Sequence, residues 1–159
     1  MPDFINDIPE KHDCRKKGMT LSEEFAQLEG RRPRILVGVA VETLSRSMHK
    51  ICNSLADIGF DVDIAPKFDN LKKLATQSLE NDSDMILIGS ENCISSQELL
   101  DFQSFVLPNQ PDVMLSLYVR DPDCKSILKS QLKHWNIFDE KGSAHFMGCH
   151  LLSQLIRRT

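Results

Sequence analysis

The sequence lacks several features that would assign it to a common class. It has no apolar run of the roughly 20 residues that a membrane-spanning helix needs, and its N-terminal residues lack the apolar stretch of a secretory signal. Its five cysteines are scattered and form no C-x-x-C pair, so we expect reduced thiols rather than a disulfide framework. No glycine-rich phosphate-binding motif occurs. These absences predict a cytoplasmic protein without a membrane partner.

The charge balance argues against nucleic acid as a partner. Nineteen Lys and Arg stand against 23 Asp and Glu, giving a formal charge of −4, whereas a domain that binds phosphate backbones carries a basic surface. The 159 residues, 41% hydrophobic and 26% charged, are typical of a single soluble domain with one core.

The first 30 residues differ in character from the rest. Residues 1–19 are polar and without periodicity, which predicts a mobile arm. Residues 22–28 predict a short helix with Thr20 or Ser22 as its cap, and Gly30 ends it. The basic segment 31–34 is interpreted as a linker, with a docking site as the alternative.

From residue 31 to 159, strand and helix patterns alternate, and we interpret this range as one domain. Five apolar runs of strand length predict β-strands: residues 35–40, 62–65, 85–88, 113–119 and 137–138. Helical spacing of apolar residues fills the intervals, for example Met48, Cys52 and Leu55. Such connections are too long for hairpins, so we predict an α/β fold with a doubly wound, five-stranded parallel sheet, flavodoxin-like, in strand order 2-1-3-4-5. A ligand would then lie beyond the carboxyl ends of the strands.

Two segments resemble a known family. The first segment, residues 32–40, reads Arg-Pro-Arg-Ile-Leu-Val-Gly-Val-Ala. The second, residues 56–66, reads Ala-Asp-Ile-Gly-Phe-Asp-Val-Asp-Ile-Ala-Pro. Both resemble the cobalamin-binding domain of methylmalonyl-CoA mutase and related acyl-CoA mutases. The resemblance covers residues 22 to about 107, and beyond that only the pattern of elements agrees. It implies a cobalamin-binding-domain-like version of the predicted fold.

The resemblance also shows which family motifs are altered in this chain. In that family, an Asp-x-His-x-x-Gly loop after the first strand supplies the cobalt ligand, and later Ser-x-Leu and Gly-Gly motifs enclose the nucleotide tail of the cofactor. The corresponding segments here differ from all three motifs: Glu42, Leu44 and Ser47 stand in the first, Gly89-Ser90-Glu91 in the second, and Tyr118 and Val119 in the third.

The altered positions imply a degenerate site. Leu44 cannot ligate a metal, and Glu42 has no imidazole to orient. His49 lies in a predicted helix and is expected to point away from the strand ends, so we do not expect it to replace the ligand. Tyr118 and Val119 are expected to fill the tail channel, because only glycine allows close backbone approach there. We therefore expect no cofactor, no metal and no catalytic residues.

Other chemistry-bearing residues do not form a recognisable site. His145 and Cys149 lie one helical turn apart and could ligate a metal with Cys124 or His134, but two ligands do not make a zinc site. Cys93 or Cys124 could be a nucleophile, yet no motif ties a base to either. We interpret these as ordinary structural residues.

Three functions remain open. The favoured hypothesis is a non-catalytic, cobalamin-free pseudo-domain that acts as a scaffold or partner-binding module for another protein, with an acyl-CoA mutase subunit as the partner that the resemblance suggests. On its own such a chain is not expected to be an enzyme. The alternative is a corrinoid-binding small subunit or carrier of a cobalamin-dependent, methylmalonyl-CoA-mutase-type isomerase, binding cobalamin without a protein axial His. The third is an unrelated flavodoxin-like module for a small ligand.

Overall fold

Helices and strands alternate along the chain in the computed structural model, which describes residues 11–39, 46–65, 71–90 and 94–158. The elements in chain order are α1 (Lys11–Glu29), β1 (Arg34–Val39), α2 (Arg46–Asp57), β2 (Asp61–Ile64), α3 (Leu71–Asn81), β3 (Met85–Ser90), α4 (Ser96–Val106), β4 (Met114–Val119), α5 (Pro122–Gln131), β5 (Trp135–Phe138) and α6 (Ala144–Arg158). No helix within these ranges combines the length and apolar character that crossing a membrane requires.

The five strands form one parallel sheet in the order β2-β1-β3-β4-β5, which confirms the predicted flavodoxin-like topology. The three central strands are mostly apolar and, apart from Arg34 at the start of β1, buried on both faces, as continuous apolar runs predict. The edge strand β2 is short and largely exposed, and it carries Asp61 and Asp63.

The sheet divides the core into two layers of buried side chains. The layer that we call the α2/α6 face includes Met48, Leu55 and Leu152 against one side of the sheet. The layer on the other side, the α3/α5 face, includes Leu74 and Leu128. Each helix lies along the sheet because its apolar side chains recur at helical spacing.

The N-terminal helix is longer than predicted. Residues 11–19, expected to belong to a mobile arm, form the first turns of α1, and Thr20 is an interior residue whose hydroxyl donates to the Lys16 carbonyl at 3.1 Å. Cys14 and Phe25 are buried against the domain. Gly30, at φ 76°, ends the helix as expected. The division of the chain at residue 30 stays a prediction, and residues 1–10 lie outside the described ranges.

Three helices meet around the end of α2. Ile58 packs between Gly18 of α1 and Gly148 of α6, where the absence of side chains lets the helices approach closely. Beside it, the Asp57 carboxylate accepts two hydrogen bonds from the Arg15 guanidinium, at 2.6 and 3.2 Å, and this cation lowers the pKa of Asp57. Small residues and one ion pair therefore attach α1 to the domain.

The basic segment 31–34 is held by the domain rather than left free. Arg31 forms a two-pronged ion pair with Asp84, both distances being 2.7 Å, and its guanidinium lies 5.6 Å from the centre of the Phe25 ring. Asp84 also accepts from the backbone N–H of Arg34 at 2.7 Å. These contacts hold the segment against the domain and fix the start of β1, and the choice between linker and docking site stays a prediction.

Some apolar positions that matched a helical pattern lie on the surface. Leu79, Phe105 and Ile127 are 51%, 39% and 58% exposed, although apolar residues at helical spacing commonly face the core. Cys52, in contrast, is buried as expected, and burial raises the pKa of its thiol to about 11. The spacing of apolar residues identifies the helices correctly, but not every apolar residue that fits the spacing is buried.

The close approach of α6 to α2 makes a testable prediction. A Cβ added at Gly148 would overlap Ile58 Cδ1, whereas one added at Gly142 would meet nothing within 4 Å. We expect Gly148→Ala to lower the free energy of unfolding by about 1–3 kcal/mol, because overpacking forces side chains off their rotamers. The matched control Gly142→Ala should change it by no more than about 0.5 kcal/mol. Urea unfolding measures both, and equal effects would contradict this account of the packing.

Candidate functional site

The carboxyl edge of the sheet presents one continuous row of residues to the α2/α6 face. The strand register pairs Val39 with Gly89, Gly89 with Tyr118 and Tyr118 with Phe138. Side chains paired this way share a face of the sheet, and Val39, Tyr118 and Phe138 all belong to or pack on the α2/α6 layer. Gly89 is thus a gap in an otherwise filled row.

Met48 of α2 fills this gap. A Cβ built on Gly89 would lie 2.5 Å from Met48 Sδ and 2.7 Å from its methyl carbon, so the thioether rests directly on the strand backbone. Met48 is itself buried in the same layer as Tyr118. An unbranched, polarizable side chain is suited to filling an irregular space of this kind.

The residues predicted to replace the family's site motifs do not all lie together. Glu42 and Leu44 lie outside the described residues. Ser47 is half-buried in the first turn of α2, and Ser90 is buried at the end of β3. Tyr118 lies inside the layer beneath α2 and α6.

Val119 corrects one expectation. We predicted that Tyr118 and Val119 fill the same channel, but Val119 belongs to the layer on the α3/α5 face, on the opposite side of the sheet. Successive side chains of a strand point to opposite faces, so the two could never have shared one channel. Ser90 pairs with Val119 in the strand register, so its side chain lies on the Val119 side of the sheet and not on the Tyr118 side.

His145 and Cys149, the two residues considered as metal ligands, each have other neighbours. Cys149 donates its thiol hydrogen to the Cys14 carbonyl at 2.9 Å, and His145 Nε2 lies 3.4 Å from Asp57 Oδ2 without an aligned hydrogen bond at either ring nitrogen. His134 lies at the opposite, amino-terminal edge of the sheet, in a groove of about 570 Å³. In the described ranges, no three His, Cys, Asp or Glu residues are grouped to hold a metal ion. His49 is exposed on α2, in keeping with its expected direction.

The cysteine expectation needs a correction at one position. Cys124 is disulfide-bonded, so it is neither the reduced thiol nor the free nucleophile that the sequence allowed. Cys14, Cys52 and Cys149 are free thiols, as predicted. Cys93 lies outside the described residues.

Several described polar groups at the ends of β4 and β5 contact each other. The buried Asp139 accepts from the Lys141 backbone N–H at 2.8 Å and lies 3.6 Å from Lys125 Nζ. Arg120 and Glu140 form a longer, exposed ion pair at 3.9 Å. These contacts tie the ends of β4 and β5 to α5, and none presents a base beside a nucleophile of the kind that acid–base or covalent catalysis requires.

Buried side chains of the described residues, among them Met48 and Tyr118, fill the layer between α2, α6 and the strand ends. Two grooves lined by described residues, of about 570 and 440 Å³, open near the amino ends of β4 and β5 and the end of α3.

Comparison with known proteins shows similarity over about half of the chain. No family model matches. The methylmalonyl-CoA mutase large subunit of Propionibacterium freudenreichii subsp. shermanii is 37% identical over 87 residues, which is 54% of this chain and 11% of that protein. The mitochondrial methylmalonyl-CoA mutase of Bos taurus is 41% identical over 61 residues, 38% of this chain and 8% of that protein. The chain therefore corresponds to about a tenth of the length of these curated relatives.

Solved structures share the fold. A novel cobalamin-binding protein from Desulfitobacterium hafniense DCB-2 superimposes with a TM-score of 0.61 and 11% identity, over 96% of this chain and 74% of that one. A putative pilus assembly-related protein from Burkholderia pseudomallei K96243 gives a TM-score of 0.55 and 13% identity, over 79% of this chain and 90% of that one. Proteins with unrelated descriptions share this architecture, so the fold alone does not assign a function.

The contact between Met48 and Gly89 can be tested with a double-mutant cycle. Gly89→Ala should lower the free energy of unfolding by about 1–3 kcal/mol, because the new methyl group and the thioether compete for one space. Met48→Ala should cost about 2–5 kcal/mol through the cavity that it leaves. In the Met48→Ala background, Gly89→Ala should cost at least about 1 kcal/mol less than in the parent. Strictly additive effects in urea unfolding would show that the two positions do not compete.

Proposed function

We propose that this chain is a non-catalytic, cobalamin-free member of the cobalamin-binding-like fold that acts by contact with another protein. Its partner, in this proposal, is a subunit of an acyl-CoA mutase, and the chain works beside that subunit in the cytoplasm without chemistry of its own. The proposal separates into two parts, the loss of cofactor binding and the gain of a partner role, and each has its own test.

The observation that carries the first part is the packing of Met48 on Gly89. A corrinoid tail and the thioether cannot occupy the same space, and Tyr118 lies in the neighbouring position of the row. Opening the groove would remove both side chains from a close-packed layer, and large-to-small changes of this type cost several kcal/mol each. The replacement of the ligand motif by Glu42, Leu44 and Ser47 points in the same direction.

The second part depends on the sequence similarity. The matched segments of the relatives are about a tenth of chains named as mutases or their large subunits. This chain keeps the fold of such a segment, with its carboxyl edge packed. In this proposal, its outer surfaces contact a mutase. Exposed apolar side chains such as Leu28 and Ile127 are available on its helices for such contacts.

Cofactor binding is tested by titration with hydroxocobalamin followed by desalting. We expect the protein to emerge colourless at saturating corrinoid, because the tail has no groove to enter. Restoring the ligand motif with Thr43→Gly, Leu44→His and Ser47→Gly should still give no cobalt ligation. Adding Met48→Ala and Tyr118→Ala to these three changes should permit at least weak binding, seen as a shifted corrinoid absorption spectrum. Stoichiometric corrinoid on the unmodified protein would refute the cofactor-free part.

The partner role is tested by sedimentation of the labelled chain with methylmalonyl-CoA mutase from the same source organism. We expect a complex with a dissociation constant in the micromolar range or tighter, as for specific interfaces of standard size. An unrelated flavodoxin-like protein serves as the control for nonspecific association. Absence of a complex at about 100 μM would remove the mutase partner, while leaving the cofactor result intact.

A corrinoid-binding small subunit or carrier is the second candidate, and one observation favours it: the fold matches that of a cobalamin-binding protein over 96% of this chain. In that case cobalamin would bind without a protein axial His, and α2 would have to move away from β3. Hydrogen exchange of α2 distinguishes the two candidates. Added cobalamin should leave its protection unchanged in our proposal and alter it in the alternative.

A further inference from the structure

Two free cysteines far apart in the chain meet inside the contact between α1 and α6. Cys14 and Cys149 are 2% and 7% exposed, and the Cys149 thiol donates to the Cys14 carbonyl oxygen at 2.9 Å. That oxygen is two covalent bonds from the Cys14 Cα, so the Cys149 sulfur lies next to the residue that would be its disulfide partner. Burial raises the pKa of both thiols, and each thiol also interacts with the other.

The helix packing around the pair brings the two backbones close together. Gly18, one turn after Cys14, and Gly148, next to Cys149, both press on Ile58. A disulfide needs Cα atoms within about 4.4–6.8 Å, a separation that two helices reach only where small residues line their contact. The thiol-to-carbonyl contact places the Cys149 sulfur beside the Cys14 backbone, and the glycines show that both helices pack closely on Ile58 in the same region.

From this geometry we propose that Cys14 and Cys149 are a redox modification site, where an intramolecular disulfide joins α1 to α6. The oxidant is a small-molecule disulfide such as glutathione disulfide. One protein thiolate attacks it and releases one glutathione thiolate; the second protein thiolate then displaces the other. Two cysteine thiols are oxidised to one disulfide, glutathione disulfide is reduced to two glutathione molecules, and the two thiol protons pass to the released thiolates.

The surroundings set the conditions for this reaction. In the docked state both sulfurs are shielded and largely protonated, so exchange requires α1 to open transiently from α6. Lys17, one turn from Cys14, lowers the pKa of both thiols, whereas Asp13 raises that of Cys14. Once formed, the bond closes a loop of more than 130 residues and holds α1 in its docked position.

The test treats the native, full-length chain with glutathione disulfide and maps its cysteines by mass spectrometry after proteolysis under non-reducing conditions. We expect a peptide pair that links Cys14 to Cys149, lacking two hydrogen atoms relative to the reduced peptides. The melting temperature should rise by about 5 °C or more and return on addition of dithiothreitol.

Variants separate this bond from the other thiols. Cys14→Ala and Cys149→Ala should each abolish the linked peptide and the rise in melting temperature. Cys52→Ala, a buried free thiol of the same core, should retain both. If a variant fails to fold, the peptide map of the unmodified protein still decides. Single glutathione adducts without a Cys14–Cys149 link, or a link that forms only in denaturant, would overturn the proposal.

Discussion

The packing of the Met48 thioether on the strand backbone at Gly89 is the contact on which the structure of the carboxyl edge depends. Met48 can approach β3 because Gly89 has no side chain. This contact lets α2 pack close to the sheet. Val39 and Tyr118 then complete a filled row beneath the helix. A glycine in a strand often marks the close approach of a ligand, and here a neighbouring side chain makes that approach instead.

Much of the fold could be predicted from the sequence, because apolar runs of strand length alternate with helical patterns, and parallel connections allow few arrangements. The strand order and the buried Cys52 follow from these rules. The length of α1 could not be predicted from the sequence, because its first turns are mostly polar. They pack through Cys14 and Gly18, which add little to an apolar pattern. Its burial depends on α6, more than 100 residues away, and local spacing does not contain that information.

The candidate site was predicted less completely than the fold. The motif positions could be found by similarity, but two of them, Tyr118 and Val119, were assigned to one channel, although strand alternation separates them. Met48 was recognised as a core residue, and its contact with Gly89 could not be, since it depends on how deeply α2 sits on the sheet. The disulfide at Cys124 was also missed, because spacing in sequence does not reveal which sulfurs meet.

The open side of β2 has a consequence for how any protein could bind to this one. A strand with an unpaired edge can pair with a strand from another chain. Acidic side chains on such a strand disfavour this pairing, because like charges repel and the carboxylates would lose their hydration. Asp61 and Asp63 occupy this side, two residues apart and both exposed to water. Association by extending the sheet is thereby disfavoured, which leaves the outer surfaces of the helices to make the contacts.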